Sequence, residues 1–154
     1  MSMILLPVQH IARHAHPLRD PPWPDLRVCV DEQLIRQAYC DLISGRADPN
    51  AFSRPLSDQQ YLDGRCHAGR VAWLAMNGCP DTISIDATDI TRGLWPVSDG
   101  NHRLAAALLR GDTHIEAEIG GFESDILAHF GDKAARAVFD AEACTDDAIY
   151  GMTC

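Results

Sequence analysis

The clearest periodic pattern in the chain runs from Trp95 to Ile119. Trp95 to Ser98 is a short apolar run that reads as a strand, broken by the Asp99-Gly100 pair. Asn101 to Arg110 then places Leu104, Ala105 and Leu108 on one stripe, which predicts a helix stopped by Gly111. His114 to Ile119 alternates, with Ile115, Ala117 and Ile119 facing one way, and Gly120-Gly121 closes that strand.

Upstream, Thr82 to Ala87 also alternates, Ile83, Ile85 and Ala87 opposing Thr82, Ser84 and Asp86. Before it, Arg65 to Asn77 carries Ala68, Val71, Leu74 and Ala75 on one stripe, with Gly78 as the residue just past the helix. Asp31 caps a predicted helix bearing Leu34, Ile35, Ala38 and Leu42 and ending before Gly45. Residues 46 to 63, rich in Asp, Pro, Ser and Asn, read as a connection. At the start, Met3 to His10 reads as a strand, Pro17 to Pro24 as an irregular loop and Leu26 to Val30 as a short β-like run. At the other end, Glu123 to Phe130 and Asp132 to Asp140 read as short helices, with a loosely held end from Cys144.

Composition narrows the partners. In 154 residues the charged fraction is 23% and the apolar fraction 46%, which suits one globular domain. A formal charge of −9 repels a polyanion and disfavours nonspecific nucleic-acid binding, yet leaves a small phosphate ligand open. The six cysteines (Cys29, Cys40, Cys66, Cys79, Cys144 and Cys154) form no Cys-x-x-Cys pair and read as ordinary thiols. The apolar run at Met1 to Val8 fits neither a signal peptide nor a membrane span, so a cytoplasmic protein is expected.

Chemistry concentrates at Asp99-Gly100-Asn101-His102-Arg103. A strand that runs through Asp-Gly into a helix gathers unpaired N–H groups and the positive end of the helix dipole, a place that binds anions and above all phosphate. Gly100 permits close backbone approach, Arg103 offers a planar fork to phosphate oxygens, and His102 can donate a hydrogen bond or move a proton near neutral pH. Asp99 can cap the helix, hold a ribose hydroxyl or reach Mg²⁺ through water. A plainer reading has Asp99 as a cap only, His102 as a satisfied polar residue, and Arg103 and Arg110 as a solvated stripe.

The stretch Asn77-Gly78-Cys79-Pro80-Asp81-Thr82-Ile83-Ser84-Ile85-Asp86, with Val97 to Ala107 and Gly111-Asp112-Thr113-His114-Ile115, resembles the ParB/sulfiredoxin-like superfamily. The resemblance spans Leu56 to Gly120. It implies a compact α/β (α+β) domain with a small mixed sheet and flanking helices, its core at 56–120. Residues 1–55 are then an extension packing on that core and 121–154 a helical tail. It further implies nucleotide phosphates bound at Gly100, Asn101, His102 and Arg103, with Asp99 and His102 in catalytic roles; the residues themselves nominate no protein metal site. The implied ligand is ATP, ADP or CTP with Mg²⁺. Asn101 stands where sulfiredoxin carries its catalytic cysteine, and His102 departs from the Gly-Glu-Arg-Arg pattern of ParB. The Asp-Gly-x-His-Arg form is most similar to the ADP-dependent free-serine kinase branch, implying phosphoryl transfer to a hydroxyl-bearing small molecule.

Two other functions fit the sequence. One is a DNA-associated ParB-like factor of a plasmid or phage, with nuclease activity; the other is a non-enzymatic adaptor whose flanks contact a protein partner. Elsewhere, His10, His14 and His16 lack a carboxylate or cysteine at a metal-ligand interval, Trp23, Trp73 and Trp95 read as packing residues, and Cys66 and His67 fall on different helix faces.

Overall fold

The computed structural model describes residues 3–25, 27–78 and 82–139. A four-stranded sheet in the order β1-β4-β2-β3 is built from β1 (Met3–Pro7), β2 (Ile83–Asp86), β3 (Val97–Asp99) and β4 (His114–Gly120). The central pair β2 and β4 is parallel, with Ile83 opposite Ala117 and Ile85 opposite Ile119, while β1 and β3 add antiparallel at the two edges. The sheet is therefore mixed, and the fold is a compact α/β domain, as expected. Around it lie α1 (Val8–Ala12), α2 (Glu32–Ile43), α3 (Asp58–Tyr61), α4 (Gly64–Asn77), α5 (Ala87–Thr91), α6 (Asn101–Arg110) and α7 (Glu123–Phe130), followed by a helical run over 132–139. Among the described residues no helix is long and apolar enough to cross a membrane.

Local chemistry explains most boundaries. Asp31 caps α2 by accepting from Leu34 N at 2.9 Å, and Asp63 caps α4 through Arg65 N. The expected strand from Met3 to His10 stops at Pro7, because Val8, Ile11 and Ala12 recur at helical spacing and bury themselves as α1. The expected strand at Thr82 to Ala87 ends at Asp86, whose carboxylate accepts from Asp89 N and starts α5. The connection at 46–63 contains a 3₁₀ turn over Pro49–Phe52 and the single turn α3, closed by a capping box between Ser57 and Gln60. Residues 27–30 are not a strand. Leu26, Cys79, Pro80, Asp81, Asp140 and everything from Cys144 onward lie outside the described residues.

Two hydrophobic clusters share α6. Leu104 and Ala107 face the sheet with Ile83, Ile85, Val97, Ala117, Val8 and Ile11, whereas Ala105 and Ala106 face α2 and α4 with Ile35, Val71 and Leu74. Alanine on both sides lets each layer approach the α6 backbone closely, so the helix that follows the Asp-Gly turn is packed between the two clusters. Residues on either side of 55 build both clusters: Leu6 and Val8 join the sheet core, Trp23 and Val30 the helical one.

Candidate functional site

The turn between β3 and α6 is held in place from beneath. Gly100 adopts φ 95° and ψ 21°, and a Cβ there would lie 2.5 Å from Ile83 Cγ2, so both the left-handed backbone and the close approach to β2 require glycine. Gly100 also occupies the N-cap position of α6, with no side chain capping the helix. Leu104 N closes the first turn onto Gly100 O at 2.9 Å, leaving the N–H groups of Asn101, His102 and Arg103 ahead of that first intrahelical bond.

Each side chain of the turn has a definite place. The cap expected of Asp99 is not made, since Gly100 intervenes between it and the helix; its carboxylate is 70% exposed and lies 3.7 Å from Arg103 Nη2. Asn101 braces the turn: its Oδ1 accepts from Trp95 Nε1 at 2.8 Å and its Nδ2 donates to Val97 O at 3.1 Å. Arg103 donates from Nη1 to Thr82 O, and its guanidinium also borders a cavity of about 410 Å³ shared with Gly78, Arg110, Glu116 and the alanines of α6.

His102 is the member whose chemistry departs most from expectation. Burial, with His67, Arg70 and Arg103 opposing a positive charge on it, lowers its pKa to about 3, so it is neutral at pH 7 and does not titrate near neutrality. Its Nε2 lies 2.8 Å from Nδ1 of His67, and His67 Nε2 lies 2.6 Å from the Tyr61 carbonyl oxygen. The two imidazoles are 19° from coplanar, and the Trp23 indole lies nearly parallel to both, with centroids 5.1 Å from His102 and 5.5 Å from His67. The Tyr61 ring meets His67 edge-on at 4.6 Å.

His67 is fully buried on α4, and the reading of the sequence did not single it out as part of the turn's chemistry. A signal was present: His67, Val71 and Leu74 fall at helical spacing on one core-facing stripe, and a histidine in such a register needs a polar partner. Carboxylates stand near it. Asp25, with its side chain 3% exposed, accepts from Gly64 N at 2.7 Å and from Arg27 N at 2.8 Å, which holds it ionised well below the usual carboxylate range. Asp25 and Asp63 both favour a charge on His67, and the Tyr61 carbonyl does so more strongly, although burial outweighs them and lowers the His67 pKa. Next door, burial and Asp63 raise the pKa of the Cys66 thiol, so it stays protonated at neutral pH.

The histidines near the start form a separate group. His10 Nε2 donates to His129 O at 2.6 Å, His14 lies edge-on to His129, and Thr91 Oγ1 links His129 Nε2 to the Asp125 carboxylate. His16 is apart from them, its Nδ1 buried without a partner. Among the described residues no three His, Cys, Asp or Glu side chains are placed to hold a metal ion.

Together the turn presents uncapped N–H groups, a guanidinium, an exposed carboxylate and a neutral imidazole within five consecutive residues. Such a set favours an oxyanion over a cation and offers a hydrogen-bond acceptor, not an acid, at His102. Compared with protein-family models, with curated proteins and with solved structures, the chain has no match.

Proposed function

We propose that the chain binds a nucleotide with its phosphates on the first turn of α6 and passes the terminal phosphoryl group to a hydroxyl-bearing small molecule. The observation that carries this reading is the start of α6: Gly100 leaves it uncapped by any side chain, and Arg103 belongs to the same first turn. The similarity of Asp99-Gly100-Asn101-His102-Arg103 to the phosphate-binding turn of ParB/sulfiredoxin-like domains supports it independently of the geometry.

ATP, ADP and CTP are the ligands this reading admits. Their Mg²⁺ suits the turn only in part, since Asp99 is an exposed carboxylate of the right chemistry but no further acidic ligand is grouped with it among the described residues. The metal would then be held by Asp99 and by the phosphates it arrives with, and it would neutralise charge on them. The residues of the chain do the rest by position. Backbone N–H groups and Arg103 orient the phosphates, Asn101 keeps the turn rigid against β3, and His102 supplies a neutral acceptor.

Thermal shift of the wild type and of Arg103→Ala against ATP, ADP, CTP and GTP with Mg²⁺ tests the reading. A nucleotide at 100 times its dissociation constant stabilises by about 2.7 kcal/mol. The expected result is such a shift in the wild type and a smaller ligand-dependent increment in the variant. The absence of a shift with all four nucleotides sinks the proposal.

A further inference from the structure

We propose that His67 and His102 form a proton relay, in which His102 Nδ1 takes the proton of the phosphoryl acceptor and His67 ends up carrying the charge. The relay rests on the phosphotransfer reading for its substrate, while the arrangement of the pair stands on its own hydrogen bonds.

Partners fix the tautomers. A carbonyl oxygen only accepts, so His67 Nε2, 2.6 Å from Tyr61 O, carries a hydrogen in every protonation state. In neutral His67 the Nδ1 is then a lone pair, and the hydrogen in the 2.8 Å contact belongs to His102 Nε2. Neutral His102 is left with a lone pair at Nδ1. That atom has no hydrogen-bond partner among the described residues, nor is it sealed off, since the buried side-chain nitrogen or oxygen without a partner among them is His16 Nδ1. An acceptor without a partner among the described residues thus sits on the second residue of α6, in the turn assigned to the phosphates.

The transfer closes on itself. The acceptor hydroxyl oxygen bonds to the terminal phosphorus, the bond from phosphorus to the bridging oxygen breaks, and its electron pair leaves with the nucleotide. The hydroxyl proton goes to His102 Nδ1, and the proton on His102 Nε2 crosses to His67 Nδ1. His67 is then an imidazolium with Nε2 still on Tyr61 O, and His102 is neutral again as the other tautomer. The same 2.8 Å contact serves before and after, with donor and acceptor exchanged. When the product departs, His102 Nδ1 releases its proton to water and the pair resets.

Surroundings decide where the charge rests. His102 faces His67, Arg70 and Arg103, all of which oppose a second positive charge. His67 faces Asp63 and Asp25 and donates to a carbonyl, all of which favour one. Moving the proton one ring deeper takes it from the arginines toward the carboxylates. Trp23, parallel to both rings, covers the pair with apolar surface and keeps the contact in line.

Imidazole ¹⁵N spectra of the full chain at pH 7 test the assignment without any variant. The expected state has Nε2–H on both rings, with coupling across the hydrogen bond between His102 Nε2 and His67 Nδ1. Nδ1–H on His102 at that pH overturns the proposal, because no lone pair then faces the substrate. His67→Gln keeps an acceptor for His102 but cannot take a proton. With the nucleotide that gives the largest thermal shift, and water as the hydroxyl acceptor, phosphate release from His67→Gln is expected to fall by about 10²-fold or more at unchanged nucleotide affinity. Undiminished release in that variant shows His67 to be packing only and also overturns the relay. A wild type that binds no nucleotide yet shows the expected tautomers removes the phosphotransfer reading and leaves the pair's proton assignment supported.

Discussion

Gly100 and Ile83 are in contact across the turn: a Cβ on Gly100 would lie 2.5 Å from Ile83 Cγ2 and 3.0 Å from its Cα. Since Ile83 belongs to the central strand β2 and is fully buried, it has little room to retreat. Gly100→Ala adds a positive-φ penalty to an overpacked core, and a loss of about 3 kcal/mol in urea unfolding is expected. A loss below about 1 kcal/mol would mean that β2 yields and that the turn is not held from beneath.

Asp99 stands at the opposite extreme. Its ion pair with Arg103 is 3.7 Å long and its carboxylate is 70% exposed, so Asp99→Asn should change stability by less than about 0.5 kcal/mol. If the carboxylate reaches the nucleotide's metal, the variant's stabilisation by nucleotide will be the same with Mg²⁺ as with a chelator, whereas the wild type will distinguish the two. Calorimetric titration in both conditions decides it.

The buried histidines make the fold sensitive to acid. His102 is held at about 3, and the fully buried His67 is also lowered, each with burial as the leading cause, so below the ordinary histidine value the folded chain binds fewer protons than the unfolded one. Stability is fully present above the unfolded histidine value near 6.5 and falls as pH drops toward 3, by up to about 1.4 kcal/mol per pH unit for His102, with a loss of the same sign from His67. Asp25, held below its usual range, adds a further loss below about pH 4. The unfolding midpoint of His102→Gln should fall less steeply between pH 6.5 and 4 than that of the wild type; parallel curves would argue against a neutral, buried His102.

Trp23 is 6% exposed and lies over both imidazoles. Trp23→Leu removes that cover and is expected to destabilise by about 2 kcal/mol or more. By admitting water it should also raise the His102 pKa above about 3, a change visible in the ring C–H shifts during a pH titration. An unmoved His102 would place its desolvation elsewhere.

Periodic elements were legible from the chain itself: α6 matches its expected span from Asn101 to Arg110, and α7 its span from Glu123 to Phe130, because glycine or a clear apolar stripe marks each. α1 and α5 were not, since five residues give too little of a helical period to outweigh an adjoining strand. The turn at 99–103 was legible as a place where functional residue types gather, and its backbone geometry follows from Asp-Gly before a helix. What neighbours do to those side chains was not. Neither the pairing of His102 with His67, 35 residues away, nor the cover by Trp23 leaves a mark in local spacing, because both depend on how α4 and the proline-rich loop pack on α6.

β1 pairs with β4, so Met3 waits for Glu118 and Pro7 for His114. On the ribosome the first strand is synthesised long before its neighbour exists, while α2, α4 and α6, which share a core of their own, are all complete before β4 emerges. Closing so large a loop is entropically costly, and the helical half can form ahead of it. Pairing of β1 is then the last step in building the sheet, and until β4 arrives the newborn chain carries β1 without its neighbour.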